Sequence, residues 1–316
     1  MWFRARLIVQ AYRSRGEGLT VRVDDVEVTV HETQHPRDAG NSVILAEALT
    51  ERVASPVVEA FLAALDATLS SDKTPDDVLD YCAQLSSELS GHCRRVVELT
   101  RWRWRSDSSH SPYAHVGSEF SSDGVRWRQL PGRMNAHARL GRGLVLNDIA
   151  ATSVQELLDA VVSEPVAHQL LREAKDVAYS HPRSAVVIGV AAVESGFKHL
   201  VADLVPDAAW LAENVPSPPV VRMLREYLPT LPVRLKIDGT VHGPPKYVRA
   251  LLTSAVEERN RVTHTGRGQI DGPAAYDQLH DALAAIQDSL YLFDHYSGHA
   301  WALAEVGEKF RGALGT

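Results

Sequence analysis

The chain has 316 residues, 45% of them apolar and 23% charged, with a net charge of −7. It is long enough for two domains with a core in each, and its composition is that of a globular protein, not a low-complexity one. The overall acidity excludes a surface coated for general nucleic-acid binding, and two cysteines, Cys82 and Cys93, exclude a disulfide framework or a four-cysteine zinc site.

The first thirty residues read as strands. Residues 2–12 alternate apolar and polar, 13–18 form a turn cluster, and 19–31 alternate again through Val21, Val23, Val26, Val28 and Val30. Arg4, Arg6 and Arg13 flank only a three-residue apolar run at 7–9, which is no secretory signal, so a cytoplasmic protein is expected. A polar loop over 33–41 precedes a short apolar piece at 43–49 with strand character. Helical spacing takes over at 57–69. Thr74-Pro75-Asp76-Asp77 then opens a second helix with an N-cap, a proline at N1 and an acid at N3. That helix runs through Leu79, Cys82, Leu85 and Leu89 and is expected to break or bend at Gly91. Both cysteines fall at apolar positions and read as buried small hydrophobes.

Arg101-Trp102-Arg103-Trp104-Arg105 has the residue types of a nucleic-acid contact, since aromatics stack bases and arginine binds phosphate. Strict alternation fits better with a half-buried strand that keeps both tryptophans on one face, or with a helix end. Residues 106–122 read as a loop, 124–130 as a strand with Trp127 inward, and 131–143 as the basic, turn-rich start of an interdomain linker.

From residue 153 onward the pattern is helical, over 154–162, 165–179, 182–204, 207–214, 218–227, 244–262, 274–296 and a last piece near 299–310. The three long helices carry near-continuous apolar stripes, as a bundle requires. The longest uninterrupted apolar run, 185–193, is far short of the roughly 20 residues of a membrane helix. The expected fold class is α+β. A mixed α/β domain over 1–150, with a sensing or regulatory role, precedes an all-α bundle over 151–316.

Charge is unevenly placed. Between Arg222 and Arg267 there are nine basic and four acidic residues, a net +5 that leaves −12 on the rest of the chain. A local basic zone on an acidic body suits a focused polyanion site, although helices that alternate charges on solvated faces give the same count. Inside it, Glu257-Glu258-Arg259-Asn260-Arg261-Val262-Thr263-His264-Thr265-Gly266 closes the helix expected over 244–262, with Gly266 as its stop. Asn260 and His264, four apart, share a helix face. Arg259 precedes His264 by five, about 140° round an ideal helix. Its long side chain reaches the same pocket if the helix frays or bends near Thr263.

Arg-Asn-x-x-x-His near the end of a late helix resembles the signature of HEPN domains (higher eukaryotes and prokaryotes nucleotide-binding), in which Arg is followed by His after four to six residues. Arg-Asn occurs once in the chain. The resemblance covers about half of it, with an apolar helix carrying Glu194 and Lys198 before the motif and a long helix over 274–296 after it. It implies a compact helical bundle, commonly a homodimer with two motifs face to face, and in many members a metal-independent endoribonuclease of toxin or phage-defence systems. A β-containing domain ahead of such a bundle is similar to the ApeA type of abortive-infection effector, which implies a phage-derived or regulatory trigger for the N-terminal half. The partner so implied is RNA, tRNA or mRNA, with no cofactor and no membrane.

The chemistry suits these residue types. Cleavage of RNA by its own 2′-hydroxyl needs one proton removed and another delivered to the leaving 5′-oxygen, work for a histidine. Charge on the phosphorane-like transition state needs a fixed cation, and a guanidinium binds phosphate oxygens bidentately. His264 is therefore the expected acid or base and Arg259 the transition-state stabiliser, with Asn260 orienting His264 or binding phosphate. Glu194 is expected either to pair with Arg259 and fix its direction or to form an i,i+4 pair with Lys198. Arg261, Arg267, Lys246 and Arg249 are candidate RNA-backbone contacts. The competing reading is a non-catalytic bundle for RNA or nucleotide binding or for dimerisation, with His264 serving the helix dipole. No metal site is expected: the remaining histidines are scattered, and His295 and His299, four apart, have Gly298 between them. The chain also lacks a P-loop, a Gly-x-Gly-x-x-Gly loop and a serine nucleophile elbow.

Overall fold

The computed structural model describes residues 1–9, 13–14, 18–35, 38–67, 74–105, 113–132, 145–146, 151–214, 219–265 and 273–315. The chain divides into two compact units, Met1–Trp102 with Ser106–Ser163, and Arg103–Arg105 with Glu164–Thr316. The fold class is α+β.

The first unit contains β1 (Trp2–Val9), β2 (Arg13–Ser14), β3 (Leu19–Val23), β4 (Val26–His35), β5 (Asp38–Glu51), α1 (Pro56–Ala67), α2 (Asp76–Arg103), β6 (Tyr113–Ser121), β7 (Arg128–Gln129), β8 (Val145–Leu146) and α3 (Ala151–Asp159). Six strands form an antiparallel sheet in the order β3-β4-β5-β1-β6-β7, while β2 and β8 make a separate parallel pair. The alternating run at 19–31 is two strands. Its valines change phase between Val23 and Val26, across a tight turn with Asp24 at φ 55°, so Val21↔Val28 and Val23↔Val26 share one face. That face, with Phe3, Ala5, Leu7, Ala46 and Ala48, is buried. The Cys93 thiol of α2 lies 3.6 Å from the Ala46 carbonyl oxygen, and the Phe3 and Tyr81 rings meet edge-on at 6.2 Å. Small residues at the sheet centre admit the helix closely. Both cysteines are buried, and burial pushes their thiols up to about 11 for Cys82 and about 12 for Cys93, so they pack as hydrophobes.

Several expectations are corrected here. The α2 helix passes Gly91 without a break, because the glycine lies on the exposed face while the buried stripe continues through Cys93, Val96 and Val97. Of the two readings of residues 101–103, the helix end holds and the strand does not: they are the last turn of α2, with Arg105 at φ 47° just beyond it. The stretch read as a loop contains β6, which lies beside β1. Its polar residues are buried by remote partners. Glu119 receives Arg4 Nε at 2.6 Å and Arg6 Nη2 at 2.7 Å, and Ser118 bonds Ser86 at 2.6 Å. The strand expected over 124–130 shrinks to β7; Trp127 lies 4.0 Å under the Arg4 guanidinium, and Val125 is exposed. Most of the expected linker, from 133 to 143, lies outside the described residues, as do Gly266 and Arg267.

The second unit contains α4 (Val166–Val177), α5 (Pro182–Leu204), α6 (Ala209–Asn214), α7 (Val220–Glu226), α8 (Lys246–Thr265), α9 (Pro273–Tyr296), α10 (Ala302–Glu305) and α11 (Glu308–Leu314). The centre is α5, which packs against α4, α8 and α9. By length and composition α5 could cross a membrane, but more than half of its most apolar stretch is buried, as for a core helix. Among the described residues no other helix has this length and composition. Gly196 lets α9 and α4 close on α5: a Cβ there would clash with Leu290 Cδ2 and stand 3.2 Å from Ala167 Cβ. A polar seam joins α4 to its surroundings. Arg172 pairs with fully buried Glu164, His168 Nε2 lies 2.8 Å from Asp294 Oδ2, and Lys175 donates to Gln287 at 2.9 Å.

Gly196→Ala is expected to lower the free energy of unfolding by about 1–3 kcal/mol, the cost of overpacking a closed helix contact, measured by chemical denaturation. In the first unit, Arg52 bonds Asp25 at 2.8 Å and holds its carboxyl down from 3.8 to about 2. The folded pKa lies below the unfolded one, so this contribution is present in full above about pH 4 and lost as pH falls towards 2. The difference in denaturation midpoint between wild type and Asp25→Asn should accordingly be present at neutral pH and disappear near pH 2.

Candidate functional site

Val248, Leu252 and Ala255 are the buried residues of α8. Near the C-terminus the helix is held by hydroxyls turned back onto the backbone. Thr263 Oγ1 donates to the carbonyls of Arg259 (2.9 Å) and Asn260 (3.2 Å), and Thr265 Oγ1 to that of Arg261 (2.6 Å). All of Arg-Asn-x-x-x-His lies within the helix, which continues past Thr263 to Thr265.

That placement separates the three residues. Arg259 is turned inward, its side chain 18% exposed, and Nη2 donates to Glu194 Oε1 on α5 at 2.6 Å. The Glu194 side chain is 10% exposed, so the pair is largely removed from water. Asn260 and His264 are exposed and lie about 40° apart on the helix, with His264 about 140° round from Arg259. The structure therefore brings Arg259 to Glu194, while Asn260 and His264 share a different, open azimuth.

The candidate RNA contacts divide in the same way. Arg261 is 39% exposed and tied to Glu258. Arg249 donates to the Pro244 carbonyl at 2.6 Å in the first turn of α8, and Lys246 is the first residue of the helix. At 1.5 Å per residue these two lie about 22 and 27 Å along the helix from His264, a different neighbourhood. Elsewhere in the basic zone, Arg222 and Arg225 are paired with Glu226 and Arg234 with Asp203. Among the described residues, most of the arginines counted from the sequence are thus engaged by a neighbouring carboxylate or carbonyl.

The polar seam of α4 was not anticipated, since single histidines and arginines in an amphipathic helix carry no spacing signal. A cleft of about 20 Å³ beside it, lined by His168, His199, Gly196, Asp294 and Ser297, has room for one water and not for a nucleotide. Nearby, burial pushes the imidazoles of His295 and His299 below their ordinary pKa. Among the described residues no three His, Cys, Asp or Glu side chains are placed to hold a metal ion. Comparison with protein-family models, with characterised proteins and with solved structures finds no match.

Glu194→Ala removes the carboxylate that Arg259 meets at 2.6 Å in a part-buried setting and should lower stability by about 1–3 kcal/mol. A double-mutant cycle with Arg259→Ala should give a coupling of about 1–3 kcal/mol by denaturant titration. Additive single effects would show that the contact does not hold the two helices together.

Proposed function

We propose that the second unit is a HEPN-like bundle that cuts RNA without a metal, in the cytoplasm, as the effector of a toxin or anti-phage system. The observation that carries this reading is the Arg-Asn-x-x-x-His motif at the end of α8, with its arginine aimed by a carboxylate from the apolar helix α5. In this reading Arg259 stabilises the charge of the pentacoordinate transition state, and Glu194 positions it. His264, open to solvent, exchanges protons with the 2′-hydroxyl or the leaving 5′-oxygen, and Asn260 beside it holds phosphate or the imidazole. Arg259 and His264 of one helix point about 140° apart, so the complete site is drawn from two copies in a homodimer. The first unit serves as sensor or restraint and receives a phage-derived or regulatory trigger.

The chief alternative is a bundle that binds RNA or a nucleotide without chemistry. It is favoured by the inward engagement of Arg259, which leaves Asn260 and His264 as the exposed members of the motif. Purified protein incubated with tRNA or mRNA in EDTA separates the two. On the enzyme reading, cleavage persists in EDTA and leaves 2′,3′-cyclic phosphate and 5′-hydroxyl ends. His264→Ala and Arg259→Ala should then each reduce the rate by about 10²–10⁴-fold. Lys246→Ala, far along the helix, should have little effect. Intact RNA, or cleavage indifferent to both substitutions, would leave only the binding reading.

A further inference from the structure

The turn that follows α9 is tied down by a few polar contacts, and two histidines flank it, His295 on the last turn of the helix and His299 within the turn. Arg234 donates its backbone N–H to the Tyr296 carbonyl at 2.9 Å and its guanidinium to the Ser297 carbonyl at 2.7 Å. Asp203 of α5 accepts from the same guanidinium at 2.8 Å. Tyr296 Oη receives the His242 N–H at 2.8 Å and donates to the His242 carbonyl at 2.7 Å. The His299 N–H donates to the Asp294 carbonyl at 3.0 Å, and Gly298 takes the positive φ of 116° that this reversal uses.

The two imidazoles fit this setting only in their neutral form. His295 is 6% exposed, and among the described residues neither of its ring nitrogens has a hydrogen-bond partner of good geometry. Tyr296 stands beside it at 5.9 Å, and no charged side chain bears on the ring: burial disfavours its proton, and the Ala300 backbone opposes without offsetting. At His299 burial is again the largest influence. Asp294 and Asp203 favour a proton there and Arg234 disfavours it. Both carboxylates already serve other groups, since Asp294 Oδ2 lies 2.8 Å from His168 Nε2 of α4 and Asp203 holds Arg234.

We propose that this turn is an acid-sensitive latch, closed while His295 and His299 are neutral and released when they take up protons. A proton on His299 sets a second cation beside Arg234 and draws on the carboxylates that Arg234 and His168 use. A proton on His295 is a buried charge without a counter-ion. One motion relieves both, the lifting of residues 297–301 from Arg234 so that the rings reach water. The cleft beside His168, which Ser297 helps to line, opens with it. Both histidines have a lower pKa in the closed turn than the ordinary 6.5 of an open chain. The closed form is therefore favoured in full above about 6.5 and loses ground as pH falls below it. Each proton raises the opening constant by at most about 10-fold per pH unit, about 100-fold for the two together.

The test combines an NMR titration of the histidine ring protons of the full chain with hydrogen exchange at pH 7.5 and pH 5, corrected for the intrinsic rate. Protection of residues 291–303 should fall by 10-fold or more relative to residues 248–256 of α8 on going to pH 5, and two imidazoles should titrate below the rest. In His295→Gln/His299→Gln, whose side chains carry no titrating proton, the relative protection of the turn should be the same at both pH values. Protection of the wild-type turn that is unchanged at pH 5 would overturn the proposal, as would an acid response that persists in the double variant. If that variant does not fold, the wild type still decides: assignment of the two low-titrating rings to histidines other than 295 and 299 refutes the latch.

Discussion

Glu194 sits on the most apolar long helix of the chain, and an ionised carboxylate in that position is tolerable only if a cation reaches it. Arg259 does so from α8, and this contact sets the register between the two helices. The rest of the α8 contact surface, Val248, Leu252 and Ala255, is apolar and non-directional. Sliding α8 by one turn, about 5.4 Å, would exchange one set of aliphatic contacts for another. It would also part the guanidinium from the carboxylate, at a cost of several kcal/mol. Register on the other side is steric: where α9 and α4 approach Gly196, a single methyl group has no room. One helix is thus located by charge on one flank and by the absence of a side chain on the other.

The same contact shows what can be read from residues in order. The bounds of α5 follow from proline at its first turn and an unbroken apolar stripe, and its observed span, Pro182–Leu204, is the span that this pattern predicts. Such helices are legible because their core contacts recur every three or four residues, so the signal is local. The strand β6 is not legible in this way. Ser118 and Glu119 look like loop residues until Ser86, Arg4 and Arg6 are brought to them from far along the chain. Gly91 misleads for the opposite reason: a glycine on the exposed side of a helix packed along its length costs about 1 kcal/mol, too little to break it.

At the motif, what was legible was residue type and helical placement; azimuth and burial were not. Fraying at Thr263 would have let Arg259 and His264 converge within one chain, but the helix continues to Thr265. Asn-to-His adjacency is a property of the helix alone. The direction of Arg259 depends on Glu194, sixty-five residues away, and no local pattern could report it.

This division also bears on how the proposed chemistry would be apportioned. A transition-state cation is most effective when its orientation is fixed before reaction, because no reorganisation is then needed as charge develops. Arg259, held by a carboxylate in a part-buried setting, has that fixity. A proton-transfer group has the opposite requirement, since it must meet the reacting oxygen and exchange with solvent between turnovers. Exposure of His264 on the last turn of α8 meets that need. Joining both properties at one phosphate is something a straight helix cannot do by itself, because the two side chains leave it on different faces. The facing helix of a second copy would supply the missing half. On this proposal the divergence of the two side chains, one turned to Glu194 and one to solvent, makes the catalytic unit a pair.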